Sequence, residues 1–171
     1  MIVAAIVVLV DQLTKIWAVA ALSDGPIDVF GEVFRLRLTR NPGAAFSSFT
    51  GGGPVLGVLA AIVAIAIVFV LPKIELPIDR FAMALIMGGA LGNFVDRIFR
   101  GDGVLDGAVV DFLDLSFWPT FNFADSAITV GVVLMLVSAL FTREPTVADA
   151  TDDSVASPYL DAEMIEKEPA P

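Results

Sequence analysis

The sequence predicts an all-α membrane protein of four spanning helices with a small β-sheet beside them, and three observations carry that prediction. Of the 171 residues, 57% are hydrophobic, and the mean hydropathy of +0.83 lies far above that of ordinary soluble domains. Charged side chains gather between apolar runs instead of alternating with them, as they would on a soluble amphipathic helix. Four of those runs approach the length that crosses a hydrocarbon core.

The first run, Ile2 to Leu22, has the length of a span but contains Asp11 and Lys15. A cleaved secretory signal is the competing reading, yet only Ala18-Val19-Ala20 imitates such a segment, and the basic start and unbroken apolar core are missing. The second run, Pro54 to Leu71, carries no charge, opens on a proline suited to a first helical turn and stops at Pro72. Phe81 to Val95 forms the third. Its Gly88, Gly89, Ala90 and Gly92 let a neighbouring helix approach closely, which predicts a central place in the bundle. The fourth runs from Asp125 to Phe141, with Asp125 or Ser126 placed to cap its exposed N–H groups.

Two of the connecting loops are more than links. Phe34, Leu36 and Leu38 alternate with Arg35, Arg37 and Thr39, the period of a strand with one apolar face, and a small sheet against the bilayer fits this. The loop from Asp96 to Ala124 mixes glycines with Val109-Val110-Asp111-Phe112-Leu113-Asp114 and an aromatic run from Phe117 to Phe123 that suits a membrane interface. Lysine and arginine are spread too evenly over the loops to orient the chain. An even number of spans nevertheless puts both termini on one side and these two loops together on the other.

The chain divides into a membrane domain, residues 1–142, and an acidic tail, residues 143–171, read as disordered. The formal net charge is −10, and the tail's eight acidic and two basic residues account for −6 of it. An acidic chain without a basic stripe excludes nucleic acid as a partner. Histidine and cysteine are both absent, which removes thiol nucleophiles, Ser-His pairs, zinc sites of the HExxH type and disulfides. No cofactor or metal is expected, and proton chemistry near neutral pH falls to carboxylates, a lysine or a tyrosine.

Several polar residues stand where apolar ones would cost less. Asp11 and Lys15 are four apart on one helical face, the geometry of a buried ion pair that locks helix packing, with substrate contact as the other reading. Asn93, Asp96 and Arg97 follow the glycines of the third run and suit either a helix-end ion pair or a site. The run from Asn41 to Phe46 has turn chemistry. Asp111 sits among Val109, Val110, Phe112 and Leu113, and Asp125 opens a helix. Taken singly, a solvated loop and an N-cap explain them. Taken together, they can bring two carboxylates against each other at the membrane surface. Two such groups do not both ionise easily, so one activates water while the other, still protonated, polarises a carbonyl. An ion-coupled carrier using Asp11, Lys15, Asp96 and Arg97 is a rival, but paired broken helices and inverted repeats are missing. A structural subunit and a serine–lysine protease are further rivals, the last without an evident serine partner for Lys15.

Five motifs together resemble one family, the bacterial lipoprotein (type II) signal peptidases, over nearly all of residues 10 to 141. They are Asp11-Gln12-Leu13-Thr14-Lys15, Asn41-Pro42-Gly43-Ala44-Ala45-Phe46, the run from Gly88 to Arg97, Val109-Val110-Asp111-Phe112, and Phe121-Asn122-Phe123-Ala124-Asp125-Ser126. The resemblance implies an aspartic protease of the bacterial cytoplasmic membrane that cuts a prolipoprotein before its diacylglyceryl-bearing cysteine. Asp111 and Asp125 then form the catalytic pair. Asn41, Gly43, Asn93, Arg97, Asn122 and Ala124 line or support the substrate site, and Asp11 and Asp96 maintain it, with Lys15 beside them. The resemblance further implies cytoplasmic termini, a periplasmic sheet cradling the outer face and a site near the outer leaflet. A monomer acting on lipid-borne substrate, with membrane lipids around it, is the expected state. The stretch from Arg100 to Ala108 is longer than in many members and is read as a mobile flap.

Overall fold

A computed structural model describes residues 1–43 and 52–141. Ala44, Ala45 and Phe46 of the second motif and the acidic tail lie outside the described residues. Among the described residues, four helices are long and apolar enough to cross a membrane: α1 (Ile2–Ala21), α2 (Gly53–Val70), α3 (Pro77–Phe99) and α4 (Phe123–Phe141). A 3₁₀ turn, Leu71–Lys73, continues α2 and ends where the chain straightens before Pro77.

The helices are built inside out relative to those of a soluble protein. The buried stripe of α1 is Ala4, Val7, Asp11, Lys15 and Ala18, spaced by three and four residues, while Ile2, Ile6, Leu9, Leu13 and Ile16 face outward. Small and polar residues turn in and large apolar ones face lipid because lipid offers no hydrophobic drive to bury the latter. α3 is central, as its glycines predicted. A Cβ at Gly88 would lie 2.6 Å from Val7 of α1, and one at Gly131 of α4 would lie 2.7 Å from Ala82 and Ile86 of α3. α3 is also longer than the third apolar run. It starts with Pro77 at its first turn and continues through Asp96 and Arg97 to Phe99, because those charges are buried and partnered inside the protein.

The loop after α1 and the loop after α3 meet in one four-stranded antiparallel sheet, with order β1 (Ile27–Phe30), β2 (Phe34–Asn41), β3 (Val109–Leu115) and β4 (Trp118–Phe121). Their pairing puts both loops at one end of the bundle. β2 and β3 pair Phe34 with Leu115 and Asn41 with Val109, with a register shift between Leu36 and Thr39. A second shift lies between β3 and β4, from Leu113 to Leu115. Such irregularities bend a sheet and re-aim side chains. Leu36, Leu38 and Leu113 pack on Phe112, Ala18 and Leu22, so the apolar face of the sheet closes over the end of α1.

The segment expected as a flap folds back on itself. The Asp106 carboxylate accepts the Gly103 N–H at 2.9 Å, the Gly107 N–H donates to the Arg97 carbonyl at 3.1 Å, and Leu105 adopts a φ of +59°. Its Leu105 and Asp106 lie against Gly53 and Gly57 of α2, close enough that a Cβ there would touch Leu105 at 3.3 Å.

Candidate active site

Asp111 enters the site from the middle of β3 and is 2% exposed. Its Oδ1 accepts the Asn122 side-chain amide at 2.7 Å and its Oδ2 that of Asn41 at 3.1 Å. Asn41 closes β2, where its own Oδ1 accepts the Gly43 N–H at 3.1 Å, an Asx turn that aims its NH2 at Asp111. Asp125 enters from the first turn of α4. The cap of that helix is Asn122, not Asp125 or Ser126: Asn122 Oδ1 accepts the Asp125 N–H at 3.0 Å, and Asp125 Oδ2 accepts the Asn122 N–H at 3.2 Å. This reciprocal capping box fixes Asp125 by the same bonds that start the helix. The other carboxylate oxygen, Oδ1, accepts the Asn93 amide at 2.8 Å.

Three asparagines thus hold two carboxylates, with Asn122 bonded to both. Burial first, then the charge of Asp125, pushes the Asp111 carboxyl up to about 6, against the opposing pull of the Asn41 and Asn122 amides and the Lys15 charge. The two aspartates line one cleft of about 780 Å³ between the sheet and the ends of α3 and α4. Asn41, Gly43, Asn93 and Arg97 line it as well, and Thr39, Trp118 and Thr129 complete parts of its wall. Asn122 and Ala124 do not. Both are fully buried behind the cleft, Asn122 as the tie between the carboxylates and Ala124 through its N–H, which donates to Asp11 Oδ1 at 3.0 Å.

Asp11, Lys15 and Asp96 form a network below this floor. Lys15 Nζ lies 2.8 Å from Asp11 and 2.9 Å from Asp96, and all three are fully buried. Asp96 pairs outward with Arg100 at 2.8 Å and accepts the Val110 N–H at 3.1 Å, tying α3 to the strand that carries Asp111. Arg97 does not pair with its neighbour Asp96. Its guanidinium turns to the cleft, where it interacts electrostatically with Asp111 and Asp125, and its buried Nε has no hydrogen-bond partner among the described residues.

Two further residues contribute that the sequence alone does not single out for the site. Gln12 bridges Asp11, the Gly92 carbonyl and Asp96 at 3.1–3.2 Å, and its place on the turn between Asp11 and Lys15 was the available signal. Asp114, 5% exposed, accepts from Arg35 at 3.1 Å and from Arg37 at 3.0 Å, and it lies near Thr120. Its arginine partners alternate on a strand one loop away in sequence, so only pairing of β2 with β3 reveals them.

Fold and site together define a four-span membrane protein that opens a polar cleft with paired carboxylates at one end of its bundle. The family model for signal peptidase II matches residues 3–141. The lipoprotein signal peptidase of Rhodococcus jostii is 45% identical over 145 residues, 84% of this chain and 73% of that protein. That of Mycolicibacterium smegmatis is 42% identical over 140 residues, 81% of this chain and 60% of the relative. A bacterial membrane enzyme solved by the in meso method at 2.3 Å resolution superposes with a TM-score of 0.72 at 29% identity, covering 91% of this chain and 92% of that one. The chain belongs to the signal peptidase II family, and it is a multi-pass bacterial membrane peptidase.

Proposed function

We propose that this peptidase removes the signal peptide from diacylglyceryl-modified prolipoproteins by aspartic catalysis at Asp111 and Asp125, cutting the peptide bond before the lipidated cysteine. The observation that carries the reading is the pair itself: two carboxylates in one cleft, one of them buried enough to hold a proton to about pH 6. In the active state the pair shares one proton. The ionised carboxylate takes a proton from a water molecule as that water attacks the scissile carbonyl, and the protonated one donates to the carbonyl oxygen. The tetrahedral diol collapses as the carboxyl that took the water proton delivers it to the departing cysteine nitrogen and a diol hydroxyl returns its proton to the other carboxylate, so the C–N bond breaks, the signal peptide leaves with a new C-terminal carboxyl group and the pair again holds one proton. Asn41 and Asn122 hold Asp111, Asn93 and the Asn122 backbone hold Asp125, and the Arg97 guanidinium offsets the charge that builds up in the cleft.

The names borne by the relatives support the substrate class. In this reading the chain acts as a monomer in the cytoplasmic membrane with both termini in the cytoplasm. The cleft and sheet lie at the outer face, where a substrate anchored by its acyl chains can reach them.

Purified protein given a diacylglyceryl-prolipoprotein should release a product beginning at the lipidated cysteine. Asp111→Asn and Asp125→Asn, folded and still able to bind, should lose about a thousandfold or more in rate. Normal cutting by either variant sinks the aspartate assignment, whereas a wild-type protein inert on every lipidated precursor sinks the substrate.

A further inference from the structure

Asn93 stands between the buried ion network and the carboxylates of the cleft. Its Oδ1 accepts from Lys15 Nζ at 3.0 Å and from Asn122 Nδ2 at 3.1 Å, and its Nδ2 donates to Asp125 Oδ1 at 2.8 Å. An ammonium has three donors and no acceptor, so the amide atom that faces Lys15 has to be the oxygen, and the NH2 is left facing Asp125. Asn122 obeys the same logic from another side. Its Oδ1 accepts the Asp125 N–H, a group that can only donate, which turns its NH2 toward Asn93 and Asp111.

Lys15 is an expensive way to fill its place. A charge in the bilayer interior costs several kcal/mol unless partnered, and two carboxylates lie within ion-pair distance of this one, at 2.8 and 2.9 Å. Charge balance accounts for two of its three donors, since Asp11 and Asp96 are matched by Lys15 and Arg100. The third donor goes to Asn93. Lys15 is fully buried and outside the lining of the cleft, so it does not touch substrate.

We propose that Lys15 is a remote positioning residue of the peptidase: it holds the Asn93 amide with its NH2 toward Asp125, keeping the carboxylate pair in the form that activates water. The inference rests on the aspartate mechanism proposed above. The charged groups around the pair are Lys15 and Asp11 from α1, Asp96, Arg97 and Arg100 from α3, and Arg37, Arg40 and Asp114 from the sheet side of the cleft. Of these, Lys15 and Arg97 both donate to Asn93, but Arg97 reaches only its backbone carbonyl, at 3.4 Å, whereas Lys15 bonds the side-chain oxygen that sets the orientation of the amide. Without it, Asn93 can turn by half a revolution and present its oxygen to Asp125, an arrangement that suits a protonated carboxyl and repels an ionised one. Loss of the positive charge acts in the same direction.

Lys15→Met alone would strand Asp11 and Asp96, so the informative variant is Asp11→Asn/Lys15→Met. It removes one charge of each sign and keeps an oxygen for the Ala124 N–H. With wild type cutting the lipidated precursor, this variant should move the acid limb of the kcat profile up by about one pH unit, with KM changed by less than about twofold if substrate contacts are untouched. Asp11→Asn alone, which retains Lys15, should not move the limb upward. In an Asn93→Ala background the shift should shrink to about half or less, as coupling through that residue requires. An unchanged limb, or a full shift without Asn93, overturns the proposal while leaving the aspartate assignment standing. A wild type that cuts nothing overturns the assignment itself. Should the double variant not fold, the wild type decides in micelles: the Asn93 side-chain ¹⁵N resonance should follow the titration of the pair, and a resonance that ignores it overturns the proposal.

Discussion

Asp111 is held in a form that disfavours folding at neutral pH. Well below the carboxyl's ordinary 3.8 it is protonated in folded and unfolded chains alike. As pH rises, the unfolded chain ionises first, and above about 6 the folded chain must carry a buried anion beside Asp125. Its contribution to stability is therefore complete in acid and lost as pH rises through 6, a difference of about 3 kcal/mol. Asp111→Asn, which cannot ionise, should gain thermal stability relative to wild type between pH 4 and pH 7.5 in detergent while losing cleavage. A constant offset across that range contradicts the buried-anion account. Such a trade of stability for a carboxyl that keeps its proton is what the proposed catalytic role would demand of Asp111. The sequence singled out Asp111 by its apolar flanks and Asp125 by its place at the start of a helix, whereas Asn41 lay in a run that turn chemistry alone explains and joined the candidate site through the family resemblance. The role of Asn122 as shared tie was not legible, since nothing in the order of residues tells which side chain will bond two carboxylates eleven and three positions away.

At the scale of elements, the glycines of α3 decide how closely the ion network can be built. A Cβ on Gly92 would stand 2.6 Å from the Asp11 carboxylate, which is already fixed by Lys15 and by the Ala124 N–H. Gly92→Ala should cost about 1–3 kcal/mol and lower activity along with it. At Gly57 the nearest atoms, at 3.3 Å, belong to the side chains of Arg97 and Leu105, which can give way. Gly57→Ala should therefore lower the melting temperature less, and equal losses at the two positions would count against rigid packing at α3. The helices themselves were legible from apolar runs, including the central place of α3. Their ends were not: α3 outruns its apolar stretch at both ends, and α4 begins at Phe123 because Asn122 caps it. The strand at Phe34–Asn41 announced itself by alternation, whereas β3 reads as a plain apolar run with two acids, and both acids are paid for only across the sheet and the bundle.

For the whole molecule, the joining of the first and third loops in one sheet puts the cleft at a single membrane face. The absence of cysteine makes this testable without background. In intact cells, a cysteine at Ser23 should react with an impermeant maleimide, and one at Glu75 should react only after the membrane is opened. The reverse pattern inverts the proposed orientation. Removal of the residues after Arg143 should leave the rate of cleavage within about twofold if the acidic tail is an extension without catalytic duty, and loss of activity in correctly inserted protein gives the tail a role.

By itself the sequence determined the membrane class, the four spans and the common side of the two unusual loops, because apolar run length and residue alternation are short-range properties of a chain. What only the tertiary structure decided is who partners whom. Lys15 is joined to Asn93 across 78 positions and Ala124 to Asp11 across 113, and Asp114 meets arginines 77 and 79 positions away. A buried charge takes whatever partner the packing of helices and strands brings within hydrogen-bond reach, and that choice is made in space, not along the chain.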